Sequence, residues 1–212
     1  MAERIHLYLC PCAGLDPALA APLLTPERRA RLTGPHAGER AAAGLLLRFA
    51  ALELLGTAPA HEARAPGGRP FLPEHPEFFF SLSHSGGWAL CAAGFSPVGA
   101  DIQAVRPVSG ALLARFFSEE ERALICDDRG AIRLFSSRES FGKLTGRGLS
   151  RECRVTERGG QLFAADCPVT EPDAPDSFVL TVCAPGADVG APRILRFPDD
   201  FVSESLSCEI TL

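Results

Sequence analysis

Features that mark membrane-spanning, secreted and nucleic-acid-binding proteins are scarce in this sequence. No apolar run reaches the roughly 18–20 residues that cross a bilayer, because the longest candidate, residues 41–55, contains Arg48 and Glu53. The amino terminus lacks a basic segment followed by a long apolar stretch, so we expect no secretory signal. A net charge of −5 disfavours general nucleic-acid binding, which usually needs a basic surface. These absences predict a cytoplasmic protein without a membrane or nucleic-acid partner.

Several common catalytic and metal-binding signatures are also missing. The sequence contains no P-loop, no Gly-x-Gly-x-x-Gly dinucleotide fingerprint and no Gly-x-Ser-x-Gly nucleophile elbow. Among the eight cysteines, Cys10 and Cys12 form the one close pair, whereas a zinc knuckle would need a second pair at similar spacing. Because a chain of 212 residues can bury a sizeable core, it needs no disulfide framework, and we expect free thiols.

The order of predicted elements indicates an α+β protein. Alternating apolar residues predict a first strand over residues 5–10, and Thr25-Pro26-Glu27 is typical of a helix start. Ser118 and Glu121 fit a capping box, and the helix that it begins is expected to extend to about Cys126. The other predicted elements are helices over residues 40–55 and 131–145 and strands over 78–80, 88–93, 98–102, 154–156, 161–164, 178–183 and 193–197.

Strands and helices alternate in a similar order before and after the middle of the chain. This order predicts two related α+β halves, residues 1–105 and 106–212, with a boundary near residue 105. No repeat is visible in the letters themselves, so the prediction depends on the order of elements alone.

An aspartate follows an apolar strand at Asp101, which is a typical place to hold a metal ion or a ligand. Gln103 lies two residues further on, and side chains two residues apart in a strand point to the same side. Both could therefore reach one ion. An aspartate that only forms a turn is the alternative interpretation, and the sequence leaves it open.

A carboxylate and an ammonium group lie one helical turn apart at Glu139 and Lys143. Residues at this spacing share one face of a helix, and Phe135 lies on the same face. A solvated ion pair on the protein surface is the commoner fate of such residues. The pair becomes a candidate for chemistry only together with the other motifs.

The segment from Ser83 to Gly86 offers hydroxyls, backbone N–H groups and an imidazole for binding phosphate, or it forms a turn at the end of a strand. Neighbouring residues in a strand face opposite ways, so Ser83 and His84 do not make a nucleophile–base pair. Arginines near apolar helices or in a glycine-rich loop are individually typical surface charges, but together they could hold a polyanionic ligand; they are Arg28, Arg31, Arg40 and Arg69.

Three blocks in this order resemble the 4′-phosphopantetheinyl transferase superfamily, in particular its monomeric type that activates surfactin synthetase. Phe80–Ser85 resembles the block Phe-Asn-x-Ser-His-Ser, and Gly99–Gln103 resembles Gly-x-Asp-Ile-Glu. Phe135–Lys143 resembles Trp-x-x-Lys-Glu-x-x-x-Lys. Weaker similarity extends outward, with the glycine-rich loop at Gly68-Arg69-Pro70 as an example, so the resemblance covers most of the chain.

The resemblance implies transfer of the phosphopantetheine arm of coenzyme A to a serine of an acyl or peptidyl carrier protein. The by-product would be adenosine 3′,5′-bisphosphate. The implied fold is a monomeric pair of α+β halves related by a pseudo-twofold axis, with coenzyme A in the cleft between them. The amino-terminal half would supply nucleotide-binding residues and the carboxy-terminal half the metal-binding and catalytic helix. Fatty acid, polyketide and nonribosomal peptide carriers are all compatible with this expectation.

Under this resemblance, each candidate residue receives a role. Magnesium, with manganese as an alternative, would be held by Asp101, Gln103 and Glu139. Glu139 would also act as general base toward the carrier serine, and Lys143 would assist the leaving bisphosphate. Asp101, Glu139 and Lys143 are therefore the expected catalytic residues. The residues expected to contact coenzyme A are Arg28, Arg31, Arg40, Arg69, Ser83, His84 and Lys143.

The sequence departs from the family pattern at several positions. Gln103 stands where the family has a second acidic residue, and an amide offers one carbonyl oxygen and no charge. Phe135 replaces tryptophan, Arg138 replaces lysine and Ser81 replaces asparagine. The weakened metal set leaves a second hypothesis open, a coenzyme A-binding pseudoenzyme or a carrier-protein interaction module. A metal-dependent hydrolase that acts on coenzyme A itself is the third hypothesis.

Overall fold

The computed structural model of the chain describes residues 3–150 and 152–197. Within these residues the chain forms α-helices α1 (Pro17–Ala20), α2 (Pro26–Arg29), α3 (Ala37–Leu55), α4 (Gly110–Phe116), α5 (Glu119–Arg122) and α6 (Asp128–Thr145). The strands are β1 (Arg4–Pro11), β2 (Ala63–Arg64), β3 (Pro70–Phe71), β4 (Phe79–Ser85), β5 (Trp88–Gly94), β6 (Gly99–Ala104), β7 (Val155–Arg158), β8 (Gln161–Ala164), β9 (Cys167–Thr170), β10 (Phe178–Cys183) and β11 (Asp188–Ile194). This content is α+β, as the sequence predicts.

A four-stranded sheet in the order β11-β1-β5-β4 is buried on both faces. Tyr8 and Cys10 of β1 pack in one apolar cluster with the long helix α3. Leu7 and Leu9, which alternate with them, pack in a second cluster against Ile102 of β6. Because every residue of this part of β1 is buried, the strand reads as an almost continuous apolar run.

The second sheet has the order β6-β10-β9-β8-β7, and α6 packs against it. Its strands β6 and β10 bury Ile102 and Leu180 toward the first sheet. At Gly99 the backbone of α6 is so close that an added Cβ would lie 2.0 Å from the Ser140 carbonyl oxygen. The layers therefore follow the order α3, first sheet, second sheet, α6, and the close approach at Gly99 holds α6 directly against β6.

Three serines on one face of β4 join the two sheets. Ser81 donates to the Ala100 carbonyl and accepts from the Ala100 N–H, at 3.3 and 2.9 Å. Ser85 accepts from the Ala104 N–H at 3.1 Å. Ser83, between them, donates to the Asp101 side chain. Since side chains in a strand alternate, this spacing of two places all three hydroxyls against β6.

Several sequence predictions of local structure are confirmed. Thr25 accepts a hydrogen bond from the Arg28 N–H as the N-cap of α2, and both hydrogen bonds of the Ser118–Glu121 capping box form. α3 ends at Leu55, and Gly56 follows in the left-handed conformation with φ of 74°. The seven cysteines of the described residues are free thiols, and Cys208 lies outside those residues.

Other predictions of local structure are wrong. The helix that begins after Ser118 ends at Arg122 and does not extend to Cys126. Of the two interpretations left open for Ser83–Gly86, the structure shows Ser83–Ser85 as the end of strand β4, paired with β5, and Gly86 in the turn that follows. The last described strand is Asp188–Ile194, not residues 193–197.

The two sheets do not coincide with the segments before and after residue 105, because each sheet contains a strand from the other segment. β6 precedes that position and belongs to the second sheet, whereas β11 follows it and pairs in parallel with β1 of the first. None of the helices described is long and apolar enough to cross a membrane.

Candidate functional site

Asp101 lies in β6 between β4 and α6, and its side chain is almost completely buried. Ser83 donates to Oδ1 at 2.6 Å, and Ser136 of α6 donates to Oδ2 at 3.0 Å. The Lys143 ammonium donates to Oδ1 at 2.7 Å. The buried carboxylate is thus provided with hydrogen bonds and with a charged partner. The sequence predicted Asp101 and Lys143 at this site but not Ser136, whose i−3 spacing from Glu139 was the available signal.

Glu139 projects from α6 into the same region. Burial raises the pKa of its carboxyl group, and the charge of Asp101 raises it further, while the charge of Lys143 lowers it. The charges of Asp101 and Lys143 thus act on the Glu139 carboxyl group in opposite directions. The sequence placed Glu139 and Lys143 on one helix face, but the ion pair of Lys143 is with Asp101.

Gln103 extends the site along β6. Its Nε2 donates to Asp101 Oδ2 at 3.2 Å, and its Oε1 accepts from the Ser85 hydroxyl at 3.4 Å. The two β6 side chains thus point to the same side, as their spacing predicted. In this orientation the amide nitrogen donates to the carboxylate, and the amide oxygen points away from it.

Ser83 and His84 face opposite sides of β4, as alternation requires. Ser83 is directed at Asp101, whereas the His84 Nδ1 lies 3.0 Å from Glu39 Oε2 on the side of α3. Burial lowers the pKa of His84, although the Glu39 charge opposes this. Ser83 was predicted to contact coenzyme A, but it is buried against the carboxylate and does not line the adjacent cavity.

An arginine-rich cavity of about 400 Å³ opens beside these groups. Its walls come from α2, α3, β4, α6 and the loop that contains Gly68. Lys143 and His84 also face it, so it is continuous with the carboxylate site. The arginines that line the cavity are Arg28, Arg31, Arg40, Arg64 and Arg69. Five guanidinium groups around one opening form a binding region suited to a polyanion.

The arginines differ in how much charge they offer to a ligand. Arg28 forms a bidentate ion pair with Glu62, with Nε 2.6 Å from Oε1, so its charge is already balanced. Arg40 donates to the Thr33 carbonyl oxygen at 2.5 Å, and Arg69 lies over the Phe79 ring at 5.3 Å from its centre. Sequence patterns do not reveal this distinction, because it depends on partners distant in the chain.

Arg64 is a cavity residue that the sequence motifs did not predict. Burial lowers the pKa of its guanidinium group, and the charges of Arg31 and Arg28 lower it further. Its Nη1 donates to the Gly68 carbonyl oxygen at 2.6 Å, which fixes the side chain beside the loop. Its position five residues before Arg69, in the same loop region, was the signal that could have found it.

The oxygen-bearing side chains beside the cavity fit a magnesium ion. Mg²⁺ prefers carboxylate and carbonyl oxygens, and Asp101 and Glu139 supply two carboxylates whose charges destabilise each other. Gln103 would supply its amide oxygen only after turning from the orientation seen here. Both Asp101 oxygens already accept hydrogen bonds, so the ion would replace some of these donors, and the donor set fits magnesium through its two carboxylates, with Gln103 conditional.

A second groove of about 460 Å³ is lined by Gln103 and by residues of α4 and α6. Phe116, Phe135 and Leu112 contribute to its largely apolar lining. Phe117 also borders it but is itself buried, with the Arg138 guanidinium 4.8 Å from its ring centre. Gln103, which donates to Asp101, therefore also borders an apolar groove.

The comparisons with known proteins agree with this geometry. A family model described as the 4′-phosphopantetheinyl transferase superfamily matches residues 97–181, which contain all three candidate metal ligands and Lys143. The chain is also 32% identical over 162 residues to a 4′-phosphopantetheinyl transferase of Bacillus subtilis, covering 72% of that protein and 68% of this chain. The chain belongs to the 4′-phosphopantetheinyl transferase superfamily.

Two further members of the superfamily are similar over shorter segments. The 4′-phosphopantetheinyl transferase Sfp of Bacillus subtilis (strain 168) is 39% identical over 89 residues, which cover 39% of this chain and 40% of Sfp. The 4′-phosphopantetheinyl transferase psf-1 of Bacillus pumilus is 38% identical over 132 residues, 55% of this chain and 57% of that protein. The chain thus matches roughly half the length of these two relatives.

Proposed function

We propose that the protein transfers the 4′-phosphopantetheine arm of coenzyme A to a serine of an apo acyl or peptidyl carrier protein, with release of adenosine 3′,5′-bisphosphate. The observation that carries the proposal is the direct contact between two subsites. Lys143 joins the Asp101 carboxylate to a cavity lined by five arginines. A diphosphate with a charged nucleotide end needs both subsites at once, one for the reacting phosphorus and one for the nucleotide phosphate. Membership in the superfamily supports the same reaction.

The chain's own residues would act by position and by charge. The serine oxygen attacks the β-phosphorus, a new P–O bond forms, and the bond to the bridging diphosphate oxygen breaks. Glu139 would take the serine proton as the general base. Lys143, held between Asp101 and the Ala100 carbonyl oxygen, faces the cavity and would neutralise charge on the leaving bisphosphate.

A bound magnesium ion would neutralise diphosphate charge and orient the reacting phosphorus. Asp101 and Glu139 would hold it, and Gln103 would contribute through its amide oxygen or through water. Ser83 and Ser136 would fix the Asp101 carboxylate by the hydrogen bonds that they donate to it. Manganese, with similar ligand preferences, is the alternative ion.

Coenzyme A would lie with its nucleotide end in the arginine cavity, where His84, Arg31, Arg64 and Arg69 are available to phosphate. Its pantetheine arm would extend past the carboxylates toward the apolar groove at Phe116 and Phe135. We place the carrier protein at this same end, with Phe116 and Arg122 as candidate contacts. The neighbouring Phe117 is buried and would act by supporting Phe116.

The wider arrangement is proposed on the same basis. One long helix packs on each of the two sheets, α3 on the first and α6 on the second, which supports two α+β halves related by a pseudo-twofold axis. The halves would be residues 1–105 and 106–212, with β6 and β11 exchanged between their sheets. We further propose that the protein acts as a cytoplasmic monomer, without nucleic-acid or membrane partners.

A carrier-modification assay tests the proposed function. The purified protein is incubated with coenzyme A, magnesium and several apo carrier proteins, and the mass of each carrier is measured by mass spectrometry. A gain of one phosphopantetheine on any carrier supports the proposal. Release of bisphosphate without a carrier would instead indicate a hydrolase, and no gain on any carrier would contradict transfer.

The second candidate function is a coenzyme A-binding pseudoenzyme or carrier-interaction module. The Gln103 amide favours it, because this side chain donates to Asp101 and brings no charge to the metal set. This candidate predicts that coenzyme A binds in the arginine cavity with normal affinity but that no carrier gains mass.

We expect Gln103→Glu to tighten magnesium binding by at least about tenfold, because a third carboxylate adds charge at the site and removes a neutral donor. The measurement is a calorimetric titration of magnesium into the purified protein. Gln161→Glu, which adds the same charge on β8, is the matched control and should leave the magnesium affinity unchanged. Equal affinities for the wild type and Gln103→Glu would place residue 103 away from the ion.

We expect Arg64→Ala to weaken binding of adenosine 3′,5′-bisphosphate by about tenfold or more, since a hydrogen bond to a charged group contributes about 1.5–3 kcal/mol. Arg158→Ala is the control, because Arg158 is an exposed arginine paired with Asp166. A fluorescence-competition titration measures both variants. An unchanged affinity for Arg64→Ala would remove this residue from the binding region.

A further inference from the structure

A second group of potential metal ligands lies at the rim of the arginine cavity. The Nδ1 of His36 is 2.9 Å from Glu39 Oε2, and the Nδ1 of His84 is 3.0 Å from the same oxygen. One ligand atom from each of the three residues lies within 4.8 Å of the other two. His36 precedes α3, Glu39 is in its first turn, and His84 comes from β4, so two distant parts of the chain meet here.

The donor set differs in kind from the set at Asp101. Two imidazole nitrogens and one carboxylate oxygen suit a borderline-soft ion such as Zn²⁺, whereas Mg²⁺ prefers oxygen ligands alone. Ligand atoms of a tetrahedral zinc site lie roughly 3.3 Å apart when their bonds to zinc are about 2.0–2.1 Å. The two nitrogen–oxygen separations observed here are a few tenths of an ångström shorter, and the ligand atoms of all three residues lie within 4.8 Å of one another, so side-chain rotation would bring them to the ion.

The group is also held by a partner outside it. The Gly87 N–H donates to Glu39 Oε1 at 2.7 Å, which leaves Oε2 directed at the two imidazoles. Contacts of this kind orient metal-binding carboxylates. The pKa of Glu39 is lowered: burial raises it, but the Gly87 N–H and the two histidines outweigh that effect.

We propose that His36, Glu39 and His84 form a binding site for one transition-metal ion of the zinc class, separate from the magnesium ligands at Asp101. Three protein ligands leave one coordination position for water or another small ligand. Coordination of His84 through Nδ1 places its remaining proton on Nε2, so the same ring can still donate to a phosphate in the cavity. The proposal concerns metal binding by the folded chain and does not depend on the proposed transfer reaction.

A pair of hydrogen bonds from two imidazole N–H groups to one carboxylate is the competing explanation of the same distances. The nearby Arg40 charge also opposes a cation, since it lowers the pKa of His84. The two explanations differ in a measurable way, because a hydrogen-bonded group without metal affinity would not add to the zinc capacity of the protein.

The test is a zinc titration of the full chain against a chromophoric chelator, in excess magnesium so that the Asp101 site is occupied. The proteins compared are the wild type, His36→Ala, Glu39→Gln and His61→Ala. His36 is exposed and its side chain makes no capping hydrogen bond to α3, so its removal should preserve the fold. His61 is the matched control, because it is an equally exposed histidine beside a single glutamate, Glu27, at 3.2 Å.

We expect the wild type and His61→Ala to bind one more zinc ion than His36→Ala, or to bind it at least about tenfold more tightly. Glu39→Gln should show the same loss. Cobalt bound to the wild type should give the visible absorption of a four-coordinate site with nitrogen ligands, and His36→Ala should lose it. The proposal would be overturned if the wild type, His36→Ala and His61→Ala bound zinc with equal stoichiometry and affinity. Zinc bound equally by all three proteins at exposed thiols would count as this result.

Discussion

Asp101→Asn should reduce kcat/KM for carrier modification by at least about 100-fold while the protein remains folded. Removing the charge takes away a metal ligand, and metal-assisted charge stabilisation contributes several kcal/mol, of which each 1.4 kcal/mol corresponds to a factor of ten. The substitution also leaves Lys143 without its ionic partner. The measurement is the initial rate of carrier mass gain at saturating magnesium.

Asparagine is a better test at this position than alanine. Ser83, Ser136 and Lys143 all donate to the buried carboxylate, and alanine would leave these donors without an acceptor in the interior. Glu139→Gln should show a loss of similar size, because the amide is neither a base nor an anionic ligand. Asp166→Asn, at an exposed position, is the control and should be fully active. Near-normal rates for Asp101→Asn would contradict the assignment of the site.

Glu121→Ala should lower the free energy of unfolding by about 3–5 kcal/mol, the usual cost of leaving one member of a buried ion pair alone. Both Glu121 and Arg138 are almost fully buried, and the guanidinium Nη2 lies 2.5 and 2.6 Å from the two carboxylate oxygens. Glu121 also accepts from the Val155 and Ser118 N–H groups. Chemical denaturation followed by circular dichroism measures the loss.

Two comparisons separate the buried pair from the general effect of losing a charge. Glu120→Ala removes an exposed carboxylate next to Glu121 and should leave stability almost unchanged. The double variant Glu121→Ala with Arg138→Met should be more stable than Glu121→Ala alone, because no charge is then left unpaired in the interior. If the free energy of unfolding fell no further in Glu121→Ala than in Glu120→Ala, the buried Glu121–Arg138 pair would not contribute to stability.

The pH dependence of stability follows from the same pair. Burial raises the pKa of Glu121, but the hydrogen bonds from Val155, Ser118 and Arg138 lower it by more, and the net pKa is below its usual value. Because the pKa of Glu121 is lower in the folded state than in the unfolded state, its ionised carboxylate stabilises the fold fully at pH values above the usual glutamate pKa. This stabilisation is lost as the pH falls through the lowered pKa of the folded state. The acid limb of the unfolding curve should therefore become shallower in Glu121→Ala.

Local patterns in the sequence were sufficient for the parts of the fold that depend on neighbouring residues. The N-cap at Thr25, the capping box at Ser118 and the glycine after α3 follow from short-range hydrogen bonding and backbone sterics, which nearby residues determine. The opposite directions of Ser83 and His84 and the shared side of Asp101 and Gln103 follow from strand alternation. One further signal was available in composition, because Lys143 is the chain's single lysine among many arginines.

The tertiary structure alone decided which side chains meet. That Lys143 pairs with Asp101, that Ser136 supports the same carboxylate and that Glu62 balances Arg28 all depend on contacts between residues 34 to 42 positions apart. It also decided that Arg64 faces the cavity, that Phe117 is buried and that His36, Glu39 and His84 meet. Sequence patterns fix the direction of a side chain relative to its own helix or strand, but its partners depend on how the elements pack, which long-range burial of apolar surface determines.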